Sequence, residues 1–131
     1  MKDLLCDEFQ DTVGRCLVRH RSILDVISKF QEAGARVNRA VLKSVTSCGC
    51  VSIEARKAQI PPDITLAELH KYMDSHLKGE ICEHCREVLE DEIGKLFFYL
   101  AGLCNALDLN IYDVLIKEHK KLSTLGQYNL A

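Results

Sequence analysis

The sequence predicts a single all-α domain, a bundle of four or five helices with one extended loop held by a metal ion. Apolar residues recur at three- and four-residue steps through most of the 131 residues, as on the buried face of a helix. One stretch, 48–63, does not fit a helical pattern; it begins with a cysteine pair and ends at Pro61-Pro62 and Asp63. This loop separates a first helical part, 1–47, from a second, 64–131.

The first helical part contains two amphipathic runs, at about 5–20 and 23–45, both with apolar residues in helical phase. Ser22 is a suitable N-cap for the second run, whereas Gly34 in its middle weakens an unbroken helix. Residues 51–55 alternate apolar and polar side chains, which is typical of a short extended segment that leaves the cysteine pair.

The second helical part contains three further helices. A capping box at 65–68 predicts a helix that runs to about residue 77. A long amphipathic helix follows at about 80–107, with one continuous apolar stripe. Asn110 is the expected N-cap of the last helix, which ends near residue 122, and Gly126 is its expected stop.

Composition and charge exclude several classes of function. Hydrophobic residues make up 47% and charged residues 27%, as in ordinary globular proteins. The net charge of −2 does not attract nucleic acid, and 6% aromatic residues without tryptophan leave few rings for base stacking. No apolar run is long enough to span a membrane, and the early acidic residues do not fit a signal peptide. We therefore expect a cytoplasmic protein that binds neither nucleic acid nor a membrane.

Four of the seven cysteines form two tight pairs, Cys48 with Cys50 and Cys82 with Cys85. Cysteines one or two residues apart supply half of a tetrahedral site from one local turn, and Gly49 lets both sulfurs of the first pair face one ion. The second pair falls at the start of the long helix, where the helix dipole favours thiolates. The pattern predicts a closed, structural four-cysteine zinc site that ties the loop to this helix.

Other chemistries of the same cysteines stay open on the sequence alone. Free cysteines are often small core hydrophobes, and Cys82 with Cys85 has the position of a redox pair at a helix start. Four thiolates do not by themselves distinguish zinc from an iron–sulfur cluster. His76 or His84 could replace one sulfur ligand.

The C-terminal part combines a stretch of the long helix that opens with Glu92-Ile93-Gly94-Lys95, a segment of small residues with Asn105, a short capped turn and another helix. In this order of residue types, 86–122 resembles the second half of the MazG-like all-α nucleotide pyrophosphohydrolases. The resemblance implies a helical bundle that forms a homodimer. It also implies removal of pyrophosphate from nucleoside triphosphates, with magnesium held by an E-x-x-E pair and an E-x-x-D pair on neighbouring helices.

The chain departs from this family at the metal-binding residues. Glu92 matches the first position of the E-x-x-D pair and is the candidate catalytic residue, but the second position is Lys95, which cannot ligate magnesium. The E-x-x-E spacings at 80–83 and 87–90 lie on the same helix as Glu92, so they cannot close around one ion. The sequence thus favours a binding or regulatory module with a degenerate hydrolase site. A magnesium-dependent hydrolase with a remodelled site and a thiol or iron–sulfur redox protein are the alternatives.

Candidate nucleotide-binding residues are Arg36, Arg39 and Lys43, which recur at three- and four-residue steps and could hold phosphates. The same stripe could instead complement the acidic face at 80–91, within the chain or across a dimer. Asn105 matches a position where the family often has an asparagine near its nucleotide, although an exposed asparagine near a turn needs no ligand.

Overall fold

The structure, a computed structural model, describes residues 3–19 and 21–126, with the backbone alone at Asp3, and shows an all-α protein with one minimal sheet. The predicted fold class, a helical bundle with an extended cysteine loop, is confirmed. The elements, in chain order, are α1 (Asp3–Cys16), α2 (Ile23–Lys43), a π-helical turn (Ser44–Cys48), β1 (Val51–Ile53), a 3-10 helix (Leu66–Tyr72), β2 (Leu77–Gly79), α3 (Glu83–Ala106) and α4 (Ile111–Leu125). Within the described ranges, no helix combines the length and apolarity needed to cross a bilayer.

Several local signals act as the sequence predicts. The second helix runs through Gly34 without a break. The side chain of Asn110 accepts a hydrogen bond from the Asp113 backbone N–H at 2.9 Å, so it caps α4. Gly126 ends α4 with a φ of 59°, and its N–H donates to the Leu122 carbonyl.

The helix predicted at 65–77 is wrong in type and length. The capping box between Thr65 and Glu68 is present, but the helix is a 3-10 helix that ends at Tyr72. Met73 already has extended backbone angles, because the chain continues from there into β2. A capping box starts a helix, but it does not determine how far the helix runs.

The described chain forms two compact units, whose boundaries fall within α2 and within α3. We call the described parts of Met1–Arg36 and Glu92–Ala131 the helical unit. Val37–Asp91 is the cysteine unit, which contains the end of α2, the two strands, the 3-10 helix and the start of α3.

The core of the helical unit is made by side chains of α1, α2 and α3 and by Leu17, which directly follows α1. Gly102 on α3 packs directly against this core: a Cβ built there would be 2.9 Å from Cδ2 of Leu17 and 4.0 Å from Cγ1 of Val13. A glycine lets the helices come together where a larger residue would separate them. The buried apolar residues of this unit are Val13, Leu17, Val26, Ala33, Ala101 and Cys104.

A buried glutamine joins α1 to the turn between α3 and α4. The Nε2 group of Gln10 donates to Oδ1 of Asn105 at 3.0 Å and to the Leu109 carbonyl at 2.6 Å. Its Oε1 accepts from the Ile111 backbone N–H at 2.9 Å. The Asn105 Nδ2 group donates back to the Gln10 carbonyl at 3.0 Å, so the side-chain amide groups of both residues are satisfied.

The cysteine unit is built on a two-stranded antiparallel sheet in which Val51 lies opposite Gly79 and Ile53 opposite Leu77. The predicted extended segment at 51–55 is thus a strand over its first three residues. One further hydrogen bond, from the Glu54 N–H to the His76 carbonyl at 2.8 Å, continues the pairing.

Candidate metal centre

The π-helical turn at the end of α2 positions the first cysteine pair. Ser44–Cys48 forms this wider turn, and the Gly49 N–H donates to the Ser44 carbonyl at 2.9 Å. Gly49 has a φ of 80°, a left-handed conformation that a residue without Cβ adopts easily. The turn at Gly49 leads the chain into β1. The Cys50 thiol donates to the same Ser44 carbonyl at 3.7 Å.

The second cysteine pair lies at the start of α3, where Cys82 caps the helix. Its carbonyl accepts from the Arg86 N–H at 2.9 Å, and its Sγ accepts from the Cys85 N–H at 3.4 Å. The predicted start of this helix, near residue 80, is too early. The chain is still in β2 at Gly79, and α3 begins at Glu83, directly after the capping residue Cys82.

The two pairs meet. The Sγ atoms of Cys48, Cys50, Cys82 and Cys85 all lie within 4.8 Å of one another. Cys48 and Cys82, one from each pair, have their sulfurs 3.7 Å apart. A tetrahedral ion with metal–sulfur bonds of about 2.3 Å separates its sulfur ligands by about 3.8 Å. The predicted convergence is confirmed, and the four cysteines are close enough to hold a metal ion.

The thiols of the second pair have opposite electrostatic environments. The Cys85 backbone N–H that donates to Cys82 lowers the pKa of the Cys82 thiol to about 7. Burial raises the pKa of the Cys85 thiol to about 12, since this side chain is only 8% exposed. A cation among the four sulfurs would favour the thiolate form of each of them.

The histidines near these cysteines lie outside the sulfur cluster. Within the described residues, the candidate ligand group contains only cysteines, so neither His76 nor His84 belongs to it. His76 instead has a left-handed φ of 62°, and its Nδ1 is buried with no hydrogen-bond partner in the described part of the chain.

Gly79 is a site residue that the sequence did not reveal. A Cβ at this position would lie 2.8 Å from the Cys50 carbonyl oxygen, and the φ of 91° also favours glycine. Because Gly79 pairs with Val51, it brings β2 against the backbone that carries the first cysteine pair. A glycine three residues before a second cysteine pair is the signal that could have identified it.

The helical unit has its own charged cavity, of 260 Å³, between α2 and α3. Glu32 forms ion pairs with Lys29 at 3.2 Å and with Arg36 at 3.3 Å. The hydrogen bond and charge of Lys29, followed by those of Arg36, hold the pKa of Glu32 below its usual range. The cavity, which we call the helical-unit cavity, is lined by Lys29, Glu32, Ala33, Arg36, Lys95 and Tyr99.

Glu92, the candidate catalytic residue, is half-buried on α3, one helical turn before Lys95. Its Oε1 is buried and has no hydrogen-bond partner among the described residues. Lys95 occupies the second carboxylate position of the E-x-x-D pattern. It lines the helical-unit cavity and brings an ammonium group there.

The four candidate nucleotide-binding residues do not form one described site. Arg36 lines the helical-unit cavity, whereas the amide of Asn105 is engaged with Gln10. Arg39 and Lys43 are exposed on the part of α2 that belongs to the cysteine unit. Their role in binding a nucleotide stays a prediction.

The chain matches no protein-family model, no curated protein and no solved structure. The similarity of 86–122 to MazG-like pyrophosphohydrolases therefore stays a prediction from the sequence. Function is inferred from the chain's own side chains and their geometry.

Proposed function

We propose that the chain is a zinc-stabilised, MazG-like helical binding module that has lost the hydrolytic chemistry of that family. The metal assignment is carried by one observation, the approach of four cysteine sulfurs to within 4.8 Å of one another. A site with four thiolate ligands has no open position. Zinc would therefore hold the first cysteine pair against the start of α3 rather than activate water.

The sulfur spacing favours a single ion over the redox alternatives. The 3.7 Å between the sulfurs of Cys48 and Cys82 is close to the edge of a zinc tetrahedron. In an iron–sulfur cluster, cysteines on different iron atoms are held further apart than the 4.8 Å within which all four sulfurs lie. A redox pair would need only Cys82 and Cys85, and would give the other two sulfurs no reason to converge.

The charge of the helical-unit cavity supports the loss of magnesium chemistry. In the family that the chain resembles, the position of Lys95 carries the second carboxylate of the E-x-x-D pair. Lys95 lines this cavity together with Lys29 and Arg36. Magnesium requires oxygen ligands, which ammonium and guanidinium groups cannot supply. The cavity carboxylate, Glu32, is already shared between two cations.

Binding without hydrolysis is then the proposed activity, with a nucleotide or a protein partner as the ligand. Arg36 is the candidate residue with the best placement for phosphate, because its guanidinium lines a cavity. A planar guanidinium can contact two phosphate oxygens at once. Arg39 and Lys43 would extend this positive charge along α2.

We further propose a homodimer formed through the helical unit. Phe97 on α3 is 56% exposed, Leu107 directly after this helix is 53% exposed, and Leu24 on α2 is 70% exposed. A contiguous exposed apolar patch is typical of a surface that a partner covers, and we propose that these side chains belong to one. Light scattering should give twice the mass of one chain, and Phe97→Glu should shift that mass toward the monomer.

A metal count and a triphosphate turnover screen on the same preparation test the proposal. We expect one zinc per chain, no visible absorbance, and no magnesium-dependent release of pyrophosphate from the common nucleoside triphosphates. A brown protein containing iron would contradict the zinc assignment. If the preparation contained no metal, the four cysteines would serve only as packed side chains, and the zinc proposal would be wrong.

A working hydrolase is the second candidate, because the Oε1 of Glu92 is buried without a described partner, as an unliganded metal-binding carboxylate can be. In this case magnesium-dependent pyrophosphate release would be observed and Glu92→Gln would abolish it. Glu90→Gln is the matched control, since Glu90 is exposed on the same helix. Equal loss in both variants would argue against a specific role for Glu92.

A further inference from the structure

A second cavity, of 380 Å³, lies in the cysteine unit at the end of the two strands away from the cysteines. One wall is the segment that follows β1, with Arg56 and Lys57, and the other is the segment that precedes β2, from Tyr72 to His76. The volume is within the range of pockets that bind small organic molecules. We call it the hairpin cavity.

The hairpin cavity has uncompensated positive charge. Within residues 3–19 and 21–126, neither Arg56 nor Lys57 forms an ion pair or a hydrogen bond. The one carboxylate in the lining, Asp74, is paired with Lys78 at 3.1 Å. The cations of the helical-unit cavity differ, because Lys29 and Arg36 there share Glu32.

The backbone at His76 is held in an uncommon conformation beside this cavity. Its φ is 62°, its N–H donates to Asp74 Oδ1 at 3.2 Å, and its carbonyl accepts from the Glu54 N–H at 2.8 Å. Residues with strained backbone angles that surrounding contacts maintain occur frequently at ligand sites. Tyr72 and Met73, 42% and 55% exposed, add a ring and a flexible apolar side chain to the same wall.

We propose that the hairpin cavity binds a small organic oxyanion, with Arg56 and Lys57 holding the anionic group and Tyr72 and Met73 packing against a flat or apolar body. Phosphate esters and carboxylates share this chemistry, and arginine binds both through two parallel hydrogen bonds. The site is separate from the proposed nucleotide site in the helical unit. This proposal rests on the proposed function only in one respect: zinc would hold β1 and β2, and these strands position the two walls of the cavity.

The test is an NMR titration of the full chain, purified after incubation with zinc, with phenyl phosphate, benzoate and uncharged phenol. We expect saturable shifts at 56–59 and 72–76 with the anions and none with phenol, and the tighter of the two anions identifies the preferred group. Arg56→Gln and Lys57→Gln should each raise Kd about tenfold. Lys71→Gln, an exposed neighbour outside the lining, should leave Kd unchanged.

His76→Asn tests the ring of His76, a residue that lines the cavity, since asparagine also accepts the left-handed conformation but lacks the ring. It should weaken anion binding while the fold is kept. Absence of saturable binding by both anions at about 10 mM would overturn the proposal, as would equal binding of phenol or an unchanged Kd in the Arg56 and Lys57 variants. Metal analysis of the same sample separates two failures. One zinc per chain without anion binding would contradict the proposed anion site alone. Anion binding without zinc would contradict the proposed zinc site alone.

Discussion

The helical unit and the cysteine unit differ in what they bury. The helical unit buries apolar side chains from α1, from Leu17 directly after it, and from α2 and α3, together with the side chain of Gln10, which is hydrogen-bonded to the exposed Asn105. In the cysteine unit, whose residues 37–91 are all described, the buried residues are Ser44, Val51 and Cys85. One of these three belongs to the sulfur cluster itself.

This contrast indicates where each unit obtains its stability. Ordering a residue costs about 1–2 kcal/mol of backbone entropy, which burial of apolar surface must offset. A valine, a cysteine and a serine cannot do this for a unit of this size. Small units with a minimal core usually depend on metals or disulfides. We therefore expect the cysteine unit to fold with its metal and the helical unit to fold by its apolar core.

The largest expected effect comes from removing one metal ligand. Cys82→Ser should lose the zinc and lower Tm by roughly 10 °C or more, because metal binding and folding are coupled in such sites. The loss should be local, with faster hydrogen exchange at 44–85 and faster trypsin cleavage after Arg56 and Lys57. Exchange in the core of the helical unit should change much less.

Cys16→Ser is the matched control for this experiment, since Cys16 is an exposed cysteine on α1 outside the cluster. It should keep one zinc per chain and an unchanged Tm. Should Cys82→Ser melt like the unaltered chain, the four cysteines would not stabilise the cysteine unit, and the contrast between the units would have another cause.

The second largest effect should come from the helical unit. Gln10→Ala removes the partners of the Leu109 carbonyl, the Ile111 N–H and Asn105 Oδ1, and part-buried polar groups without partners are costly. We expect a loss of about 2–4 kcal/mol in the free energy of unfolding, measured by urea denaturation. Zinc content should not change. Gln31→Ala, at an exposed position of α2, should alter stability by less than about 0.5 kcal/mol.

Elements whose signals are local could be predicted from the sequence. The apolar period identified α2 and α3, and the caps at Asn110 and Gly126 identified the ends of α4. The two cysteine pairs predicted their own convergence, because each pair is a short motif made by one turn. Each cap, helix and cysteine pair is recognised within a few residues of chain, whereas the meeting of the two pairs follows from the four ligands that one ion needs.

Features that depend on distant residues could not be predicted in this way. Three residues, Leu77–Gly79, are too few to show a strand period, and β2 exists because it pairs with β1. The 3-10 helix before it is shorter than its capping box suggested for the same reason. The grouping of Lys29 and Arg36 with Lys95 is equally non-local, since the periodicity of one helix does not reveal which residues of another helix it faces.

The smallest effects should come from two glycines, and they have opposite signs. Gly79→Ala in the cysteine unit must adopt a φ of 91° and move a Cβ away from the Cys50 carbonyl oxygen, which would lie at 2.8 Å. We expect a loss of about 1–3 kcal/mol in the free energy of unfolding and weaker zinc retention against a chelator.

Gly94→Ala, in the helical unit, has no atom within 4 Å of the new Cβ and lies inside α3. It should therefore stabilise the chain by about 0.5–1 kcal/mol without changing zinc retention. If both variants lost zinc equally, the metal centre would depend on the whole of α3 rather than on the close contact between Gly79 and Cys50.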